Sequence, residues 1–467
     1  MASAIETITT AISQKKLTAR QSVETAIEKA KHISDYNAFL ALTSERALKR
    51  ADEIDADILA GTIRGRLVGV PFVVKDNILA YGAATTAGSH ILENFMAPLQ
   101  AAAVEKLEAE GAICIGKANL DAFGHGGSTE NSAYGPTKNS HDKRRVAGGS
   151  SGGSAVVTAL DVVPFALGTD TGGSIRQPAS FNGVYGIKPT YGAVSRYGVI
   201  AMASSTDTVG CFASSAQDIE TVLDIISGQD ARDSTTLADY FTPQQDTNKK
   251  YKIGVISQTL TDDVAPEVRQ AVADYVEQLS EAGHLVEEVS MPIIKHALAM
   301  YYIIVPAEIS SNLARYDGIR YGIRAQANSL AELYGRTRDA GFEPENKRRI
   351  MIGSYVLSSG YYDAYYQQAQ KARTLLINAY QKLFESYDVL LTPVSPTTAF
   401  ELGANANDPV KMYLADTMTV PPSLAGLPAI SVPAKVEDGL PIGIQLIANQ
   451  RCDADLLGLI KSMESDR

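Results

Sequence analysis

Two glycine- and hydroxyl-rich clusters, separated by a short apolar run, constrain this chain more than any other feature. The clusters cover residues 148–154 and 169–174, and the apolar run between them covers residues 162–167. A run of that length suits one buried strand and is too short for most helices. We therefore expect a strand whose two ends present bare backbone and hydroxyl groups, as in a catalytic serine site.

The second cluster can surround a developing negative charge. Glycine lets backbone amides approach a ligand closely, and successive N–H groups in such a turn form an anion pocket. A flexible Gly/Ser linker would contain neither the apolar run nor the charged residues Asp170 and Arg176. The residues that could supply the pocket are Thr171, Gly172, Gly173 and Ser174.

A lysine at the end of a predicted strand is a second candidate for chemistry. Residues 67–74 predict a buried strand, interrupted by Pro71, and Lys75 follows it directly. Most lysines are solvated surface charges, but burial disfavours the charged form of an amine. Lys75 is therefore a candidate base, because a neutral amine can accept a proton.

Composition limits the classes of partner and site. The chain has 467 residues, 45% of them apolar, and a net charge of -11, which argues against a broad phosphate-binding surface. Its three widely spaced cysteines favour neither a disulfide framework nor a metal site. The sequence has no signal-peptide pattern and no apolar stretch of the ~18 residues that span a bilayer. We therefore expect a cytoplasmic protein without a membrane partner.

The order of predicted elements is typical of an α/β fold. Residues 1–60 predict helices, residues 67–210 contain both clusters, and residues 251–467 combine a tyrosine-rich helical part with closing strands. The length alone suggests about three domains. Further strands are predicted at residues 112–115, 251–256, 284–289, 389–391, 429–432 and 442–447, the last two as a hairpin.

Three other motifs indicate different classes of site, but each lacks a residue or an element that its class requires. Residues 111–117 match most of a P-loop, but Ala118 stands where the magnesium-binding hydroxyl must be. Ser150 fits the G-x-S-x-G pattern of α/β-hydrolases, yet a polar segment precedes it where that fold needs a strand. Cys114 lies between two isoleucines rather than in a glycine-rich turn, which argues against a cysteine nucleophile.

Three parts of the chain together resemble the signature of the amidase signature family: Lys75, residues 148–154 and residues 170–178. The resemblance implies a single α/β/α sandwich around a large mixed β-sheet, which replaces the length-based expectation of several domains. Within the family, the most similar branch is the glutaminase subunits of tRNA-dependent amidotransferases. The segments that carry this second resemblance are residues 195–210, 301–322, 348–376 and 421–433.

The resemblance implies a Ser-Ser-Lys triad that hydrolyses glutamine through a glutamyl-enzyme ester. By position, Ser174 is the nucleophile, Ser150 is a bridging serine with a cis peptide bond, and Lys75 is the base. The backbone amides of residues 171–174 are expected to bind the oxyanion. The residues expected to support this machinery are Ser151, Asp170 and Arg176.

The resemblance also implies two partner subunits in a heterotrimer and no cofactor in this chain. One partner would use ATP and magnesium to activate glutamate mischarged on tRNA(Gln), and would then amidate it with the released ammonia. The acidic charge of this chain agrees with that division, because the chain need not hold the tRNA itself. A free-standing amidase of the same family is the alternative.

Glutamine carries an ammonium and a carboxylate, so a selective pocket needs one acid and one base. Asp416 and Arg349 match the family residues for these roles. The alternative is that Asp416 caps a helix and Arg349 lies on a solvated helix face. The chain departs from the family pattern at His125 and Gly127, where a methionine and a serine are usual; His125 either touches substrate or is hydrogen-bonded within its loop.

Overall fold

The computed structural model describes residues 3–62, 65–238, 240–243, 249–405, 408–434 and 439–465. The strands in these ranges are β1 Phe39–Leu42, β2 Pro71–Lys75, β3 Ile113–Ala118, β4 Phe165–Asp170, β5 Tyr185–Lys188, β6 Thr208–Ala213, β7 Lys252–Ile256, β8 Leu285–Val289, β9 Val389–Pro393, β10 Ala429–Pro433 and β11 Gly443–Ala448. They form one sheet in the order β1-β3-β2-β4-β6-β5-β10-β11-β9-β7-β8. The pairs β2/β3, β2/β4, β7/β8 and β7/β9 are parallel and the other pairs are antiparallel.

Helices cover both faces of this mixed sheet. On β2, Phe72 and Val74 pack into one apolar cluster, whereas Val73 packs into another on the opposite face. This alternation is what a strand buried on both faces requires. The helices are α1 Ala4–Ser13, α2 Ala19–His32, α3 Ser44–Ala60, α4 Ala102–Ala109, α5 Gly152–Ala159, α6 Arg176–Asn182, α7 Ala216–Ile226, α8 Pro266–Glu281, α9 Ala297–Asn312, α10 Leu330–Gly341, α11 Pro344–Val356, α12 Gln367–Phe384, α13 Pro409–Leu414, α14 Val420–Leu424 and α15 Asp453–Ser465. The α/β sandwich predicted by the resemblance is thus confirmed.

Most of the predicted strands are present, with shifted ends. The run at residues 162–167 is the clearest shift, because β4 begins at Phe165 and continues through Gly168 to Asp170. Strand pairing explains this shift, because β4 pairs with β6 along its whole length and its polar end is buried as well. The second cluster therefore begins inside a strand, which its composition did not indicate. The sequence pattern also gave no indication of β1, β5, β6 and the helix α5.

The sequence also predicts two capping boxes, Thr18 with Gln21 and Ser214 with Gln217. The first is confirmed at the start of α2. At α7, Ser215 accepts a hydrogen bond from the Asp218 N–H, so the cap lies one residue later than predicted. The turn of the predicted β10/β11 hairpin includes residues 435–438, which lie outside the described residues, but the two strands do pair antiparallel.

One helical stretch contradicts the expectation that no apolar segment is long enough to span a bilayer. Pro292–Arg315 is long and apolar enough to span a bilayer by length and composition. Half of its most apolar window is buried inside the protein. Core helices of soluble proteins pass the same test, and here the stretch packs on α11 and α12.

Candidate active site

The base candidate is presented by β2, whose five residues are all buried. Lys75, at the end of that strand, donates hydrogen bonds from Nζ to Ser150 Oγ at 2.7 Å and to Thr169 Oγ1 at 3.0 Å. Burial lowers the pKa of Lys75 to about 7, against the opposing negative charges of Asp121, Asp170 and Asp207. The amine is therefore readily neutral near physiological pH and lies in contact with a serine hydroxyl.

The first cluster forms a tight turn that leads into α5. The Gly149–Ser150 peptide bond is cis, as the resemblance implies. Ser151 joins this turn to the end of β4, because its N–H donates to the Ser174 carbonyl at 3.1 Å and its Oγ donates to the Thr169 carbonyl at 3.2 Å. Lys75 at the end of β2 thus contacts Ser150 directly, and the backbone of Ser174, which follows β4, is bonded to the residue after Ser150.

Asp170 and Arg176 hold the loop that presents Ser174. Their side chains form a fully buried ion pair at 2.8 Å, and Asp170 also accepts the N–H groups of Gly173 and Ile175. Burial alone would raise the pKa of Asp170, but the charge of Arg176 holds it below its ordinary value. Because each charge already has its partner, these two residues fix the loop instead of exchanging protons.

The predicted oxyanion pocket needs one correction. The Gly173 N–H is already engaged by Asp170 Oδ1 at 2.9 Å, so this amide is used within the protein. Gly173 has a φ of +139°, and a Cβ there would lie 2.1 Å from Thr419 Oγ1, so the loop requires glycine. The amides left as candidates are those of Thr171, Gly172 and Ser174.

A pocket of about 160 Å³ adjoins this loop and contains both predicted recognition residues, Asp416 and Arg349. Arg349 on α11 is only 3% exposed, which excludes the solvated helix face. Its Nε donates to Glu345 Oε1 at 2.8 Å, and its guanidinium lies over the Tyr302 ring at 5.3 Å. Burial raises the pKa of Asp416 to about 7, although the Arg349 charge opposes the rise. The pocket thus places Asp416 and Arg349 around one small volume, which Glu130, Glu345 and Arg348 also line.

Direct contacts connect this pocket to the Ser174 loop. Thr419, three residues after Asp416, donates from Oγ1 to the Gly172 carbonyl at 2.7 Å. From α6, Gln177 donates from Nε2 to the carbonyl of pocket residue Gly127 at 2.7 Å. A shift in either wall of the pocket would therefore displace the backbone beside the nucleophile candidate.

The two departures from the family pattern lie in the loop between β3 and the first cluster. His125 is fully buried, and its Nδ1 is 2.7 Å from Asn346 Nδ2, which also donates to the Ala122 carbonyl. Burial, together with the charge of Arg349, holds the pKa of His125 well below its usual value. The hydrogen-bonded alternative thus fits His125. Gly127 faces Asp416, since a Cβ there would lie 3.3 Å from Asp416 Oδ1.

Several residues around the site were not found from the sequence. Thr169 contacts the Lys75 amine, and it could have been found because it belongs to the second cluster. Tyr302 and Tyr413, whose rings stack at 4.0 Å beside Arg349, had no local signal beyond the tyrosine-rich composition. Their partners are far away in sequence, so only the folded chain reveals them.

Metal and nucleotide sites find little support in the described part of the chain. Within it, no group of three or more His, Cys, Asp or Glu side chains could hold a metal ion. The P-loop-like residues 111–117 run into β3, and Lys117 is fully buried 3.1 Å from Asp76 Oδ1. A lysine in that position cannot reach a phosphate.

Comparison with known proteins decides the family. The amidase family model, described as Amidase, matches residues 21–457. The chain belongs to the amidase family. Among amidase-family relatives, it is 49% identical over 442 residues to the A subunit of glutamyl-tRNA(Gln) amidotransferase from Cyanothece sp., covering 93% of this chain and 92% of that one. It is 47% identical over 462 residues to the protein of the same name from Koribacter versatilis, covering 97% and 96%.

Solved structures support the same family assignment. The A subunit of glutamyl-tRNA(Gln) amidotransferase from Thermotoga maritima matches with a TM-score of 0.80 at 38% identity, over 96% of this chain and 92% of that one. A protein from a vestigial complex connected with the origins of an s-triazine catabolic enzyme matches with a TM-score of 0.87 at 32% identity, over 99% and 98%. The predicted family is confirmed.

Proposed function

We propose that this chain is the glutaminase subunit of a cytoplasmic glutamyl-tRNA(Gln) amidotransferase. It hydrolyses glutamine and supplies ammonia for converting Glu-tRNA(Gln) to Gln-tRNA(Gln), while a partner subunit uses ATP and magnesium. The observation that carries the proposal is the pocket lined by both Asp416 and Arg349, whose surroundings are connected to the Ser174 loop through Thr419 and Gln177. The names and near-full coverage of the relatives support the same assignment.

The geometry supports a proton relay. Neutral Lys75 accepts a proton from Ser150, which in turn accepts one from Ser174 as the Ser174 oxygen attacks the side-chain amide carbon of glutamine. The amides of Thr171, Gly172 and Ser174 bind the oxyanion that forms. Lys75 then returns its proton through Ser150 to the departing nitrogen, and ammonia leaves.

In the second half of the reaction, water replaces Ser174 as the nucleophile and Ser174 becomes the leaving group. Water loses a proton to the same relay and attacks the glutamyl ester on Ser174, which releases glutamate. Asp416 binds the substrate ammonium and Arg349 binds its carboxylate. Substrate binding keeps Asp416 ionised, because a cation beside a buried carboxylate favours the charged form.

The test replaces the nucleophile and measures two activities of the assembled complex. Ser174→Ala should abolish glutamine-dependent amidation of Glu-tRNA(Gln) and leave amidation with free ammonium intact, because only the ammonia source is lost. Glutaminase activity retained by Ser174→Ala would remove the nucleophile assignment. Copurification from the native cell separates the alternatives, since a lone active amidase without ATP-dependent partners would indicate a free-standing enzyme.

A further inference from the structure

One buried carboxylate lies between the turn that presents Ser150, called here the Ser150 turn, and the wall of the pocket that contains Asp416 and Arg349. Asp121 follows β3, and its side chain is completely buried. Its Oδ2 accepts the N–H groups of Ser128 and Thr129 at 3.3 and 2.9 Å, and its Oδ1 accepts the Asn131 N–H at 3.0 Å. The loop at residues 126–131, called here the pocket loop, therefore wraps around this one side chain.

The pocket loop forms part of both functional regions. Gly127, Ser128 and Asn131 line the pocket that contains Asp416 and Arg349. Thr129 donates from Oγ1 to the Gly148 carbonyl at 2.7 Å and accepts the Gly152 N–H at 3.1 Å. Any displacement of this loop would thus move the turn that presents Ser150 as well.

Asp121 also contacts the Ser150 turn directly. Its N–H donates to the Ser150 carbonyl at 3.2 Å. Two glycines leave the space for its carboxylate: a Cβ on Gly149 would lie 2.2 Å from Asp121 Oδ2, and a Cβ on Gly126 would lie 2.3 Å from its Cγ. Such close approach on two sides means that the position of this carboxylate is tightly fixed.

We propose that Asp121 is a positioning residue that holds the pocket loop and the Ser150 turn in register and supplies one of the negative charges around Lys75. The inference rests on the proposed function of that site. Thr129 illustrates the positioning, because its backbone has a φ of +60°, which is unfavourable for a residue with a side chain. Its N–H donates to Asp121, so the carboxylate stabilises this conformation.

The charges around Lys75 explain why Asp121 matters electrostatically. Asp121, Asp170 and Asp207 all favour the charged form of Lys75, and Asp121 comes first in size. Asp170 is paired with Arg176, and Asp207 accepts hydrogen bonds from Thr171 Oγ1 and two backbone N–H groups. The charges of Lys75 and Glu130 act on Asp121 in turn, and burial raises its pKa to about 6. Near pH 7, where Lys75 titrates, most of the Asp121 carboxylate is therefore ionised.

The test measures glutamine hydrolysis by Asp121→Asn between about pH 5 and about pH 9, in the assembled complex. Misplacement of the loop should lower kcat about 100-fold. Loss of the negative charge should lower the Lys75 pKa, so the acidic limb of the kcat profile should move about one pH unit downward. A purely structural role would lower stability and leave the midpoint of that limb unchanged, which would overturn the proposal.

A matched control removes another buried carboxylate that binds backbone N–H groups. Asp218 accepts the N–H groups of Ala4 and Ile5, so Asp218→Asn should lower Tm and leave the pH profile in place. A second variant, Gly126→Ala, displaces the Asp121 carboxylate but keeps its charge. We expect kcat to fall about tenfold or more with the pH midpoint retained. Unchanged kcat in Gly126→Ala would overturn the positioning role even if Asp121→Asn does not fold.

Failure of this inference can be distinguished from failure of the proposed function. Wild-type activity on glutamine and on a small neutral amide is measured first. If only the neutral amide is hydrolysed, the proposed function is wrong, and the Asp121 and Gly126 variants are then compared on that amide. The pH shift predicted for Asp121→Asn is the same for either substrate, because it depends on Lys75.

Discussion

Two fully buried lysines lie side by side at the ends of parallel strands, and their surroundings differ. In the pairing of β2 with β3, Lys75 lies opposite Ala118 and Lys117 lies opposite Val74. Lys117 is 3.1 Å from the Asp76 carboxylate and donates to the Ile78 carbonyl, whereas Lys75 donates to the hydroxyls of Ser150 and Thr169. Both amines are fully buried. The groups that they contact, and not burial itself, therefore decide whether the lysine stabilises the fold or is available as a base.

The acids of the molecule show the same contrast. Asp170 is held by Arg176 in a buried ion pair, so its charge is satisfied within the protein. Asp416 lines the pocket of about 160 Å³, and burial raises its pKa to about 7. A carboxylate in that state gains most from a cation that arrives with the substrate. The charge of Asp170 therefore stabilises the fold, and the carboxylate of Asp416 is available to a ligand in the pocket.

The largest expected effect on turnover follows from replacing Lys75. Lys75→Arg keeps the positive charge but cannot give up its proton, so kcat for glutamine should fall about 1,000-fold or more. Glutamine hydrolysis and Tm are measured together. The matched change at the neighbouring strand end, Lys117→Arg, preserves the ion pair with Asp76 and should retain most turnover. Near-normal activity in Lys75→Arg would break the comparison, because Lys75 would not be the base.

The pH profile of the wild-type enzyme gives the next largest effect. Lys75 must be neutral to act as a base, and its pKa is about 7. Activity should therefore rise with pH through that midpoint, and the neutral fraction at about pH 5 is roughly 100-fold lower than at high pH. The kcat profile reports on Lys75, while kcat/KM also reports on Asp416, whose ionised form binds ammonium. A flat kcat between about pH 5 and about pH 8 would contradict this.

Substitutions in the pocket should have a smaller effect that depends on the substrate. Arg349→Ala and Asp416→Ala each remove a charge-assisted contact, so kcat/KM for glutamine should fall about 10- to 100-fold. A small neutral amide should be hydrolysed almost as before. Arg348→Ala is the comparison variant: Arg348 also lines the pocket and pairs with Glu345 but is 44% exposed, so glutamine turnover should fall less than in Arg349→Ala. Equal losses on both substrates would place these residues outside glutamine recognition.

The sequence predicted the residues that surround Lys75 better than those that surround Arg349, because the first set lies in short motifs and the second is spread over distant segments. Short contiguous motifs contain Lys75, the two clusters, Asp170 and Arg176. Their chemistry can be inferred from the sequence before the fold is known. The same reasoning applied to Lys117 would have suggested a second base. Asp76, whose carboxylate neutralises it, is 41 residues away in sequence, and only the β2/β3 pairing brings the two together.

The missed elements have a related cause. β5 and β6 contain glycine and polar residues and become strands through pairing with neighbours on both sides. β4 extends into the second cluster for the same reason. Tertiary pairing overrides local propensity in such strands. In the pocket, the contact of Arg349 with Tyr302 and the approach of Gly127 to Asp416 join segments that carry no shared pattern.

The smallest effect on turnover is expected at Lys117. Lys117→Met leaves the Asp76 carboxylate buried without its cation, which should lower the free energy of unfolding by about 3–5 kcal/mol. The kcat of the folded fraction should change less than about tenfold, because Lys117 contacts no group of the proton relay. Urea unfolding and glutaminase assays on the same preparation measure both quantities.

The pH dependence of stability sharpens this last prediction. Burial raises the folded-state pKa of Asp76, although the Lys117 charge opposes the rise. Removing Lys117 should raise that pKa further, so the folded state of Lys117→Met binds a proton that the unfolded state releases above about pH 4. The contribution of Asp76 to stability is then fully present below about pH 4 and is lost as the pH rises through the folded-state pKa of Asp76. Lys117→Met should therefore approach the wild-type stability as the pH is lowered. A stability difference independent of pH would show that Lys117 acts through packing and not through its charge.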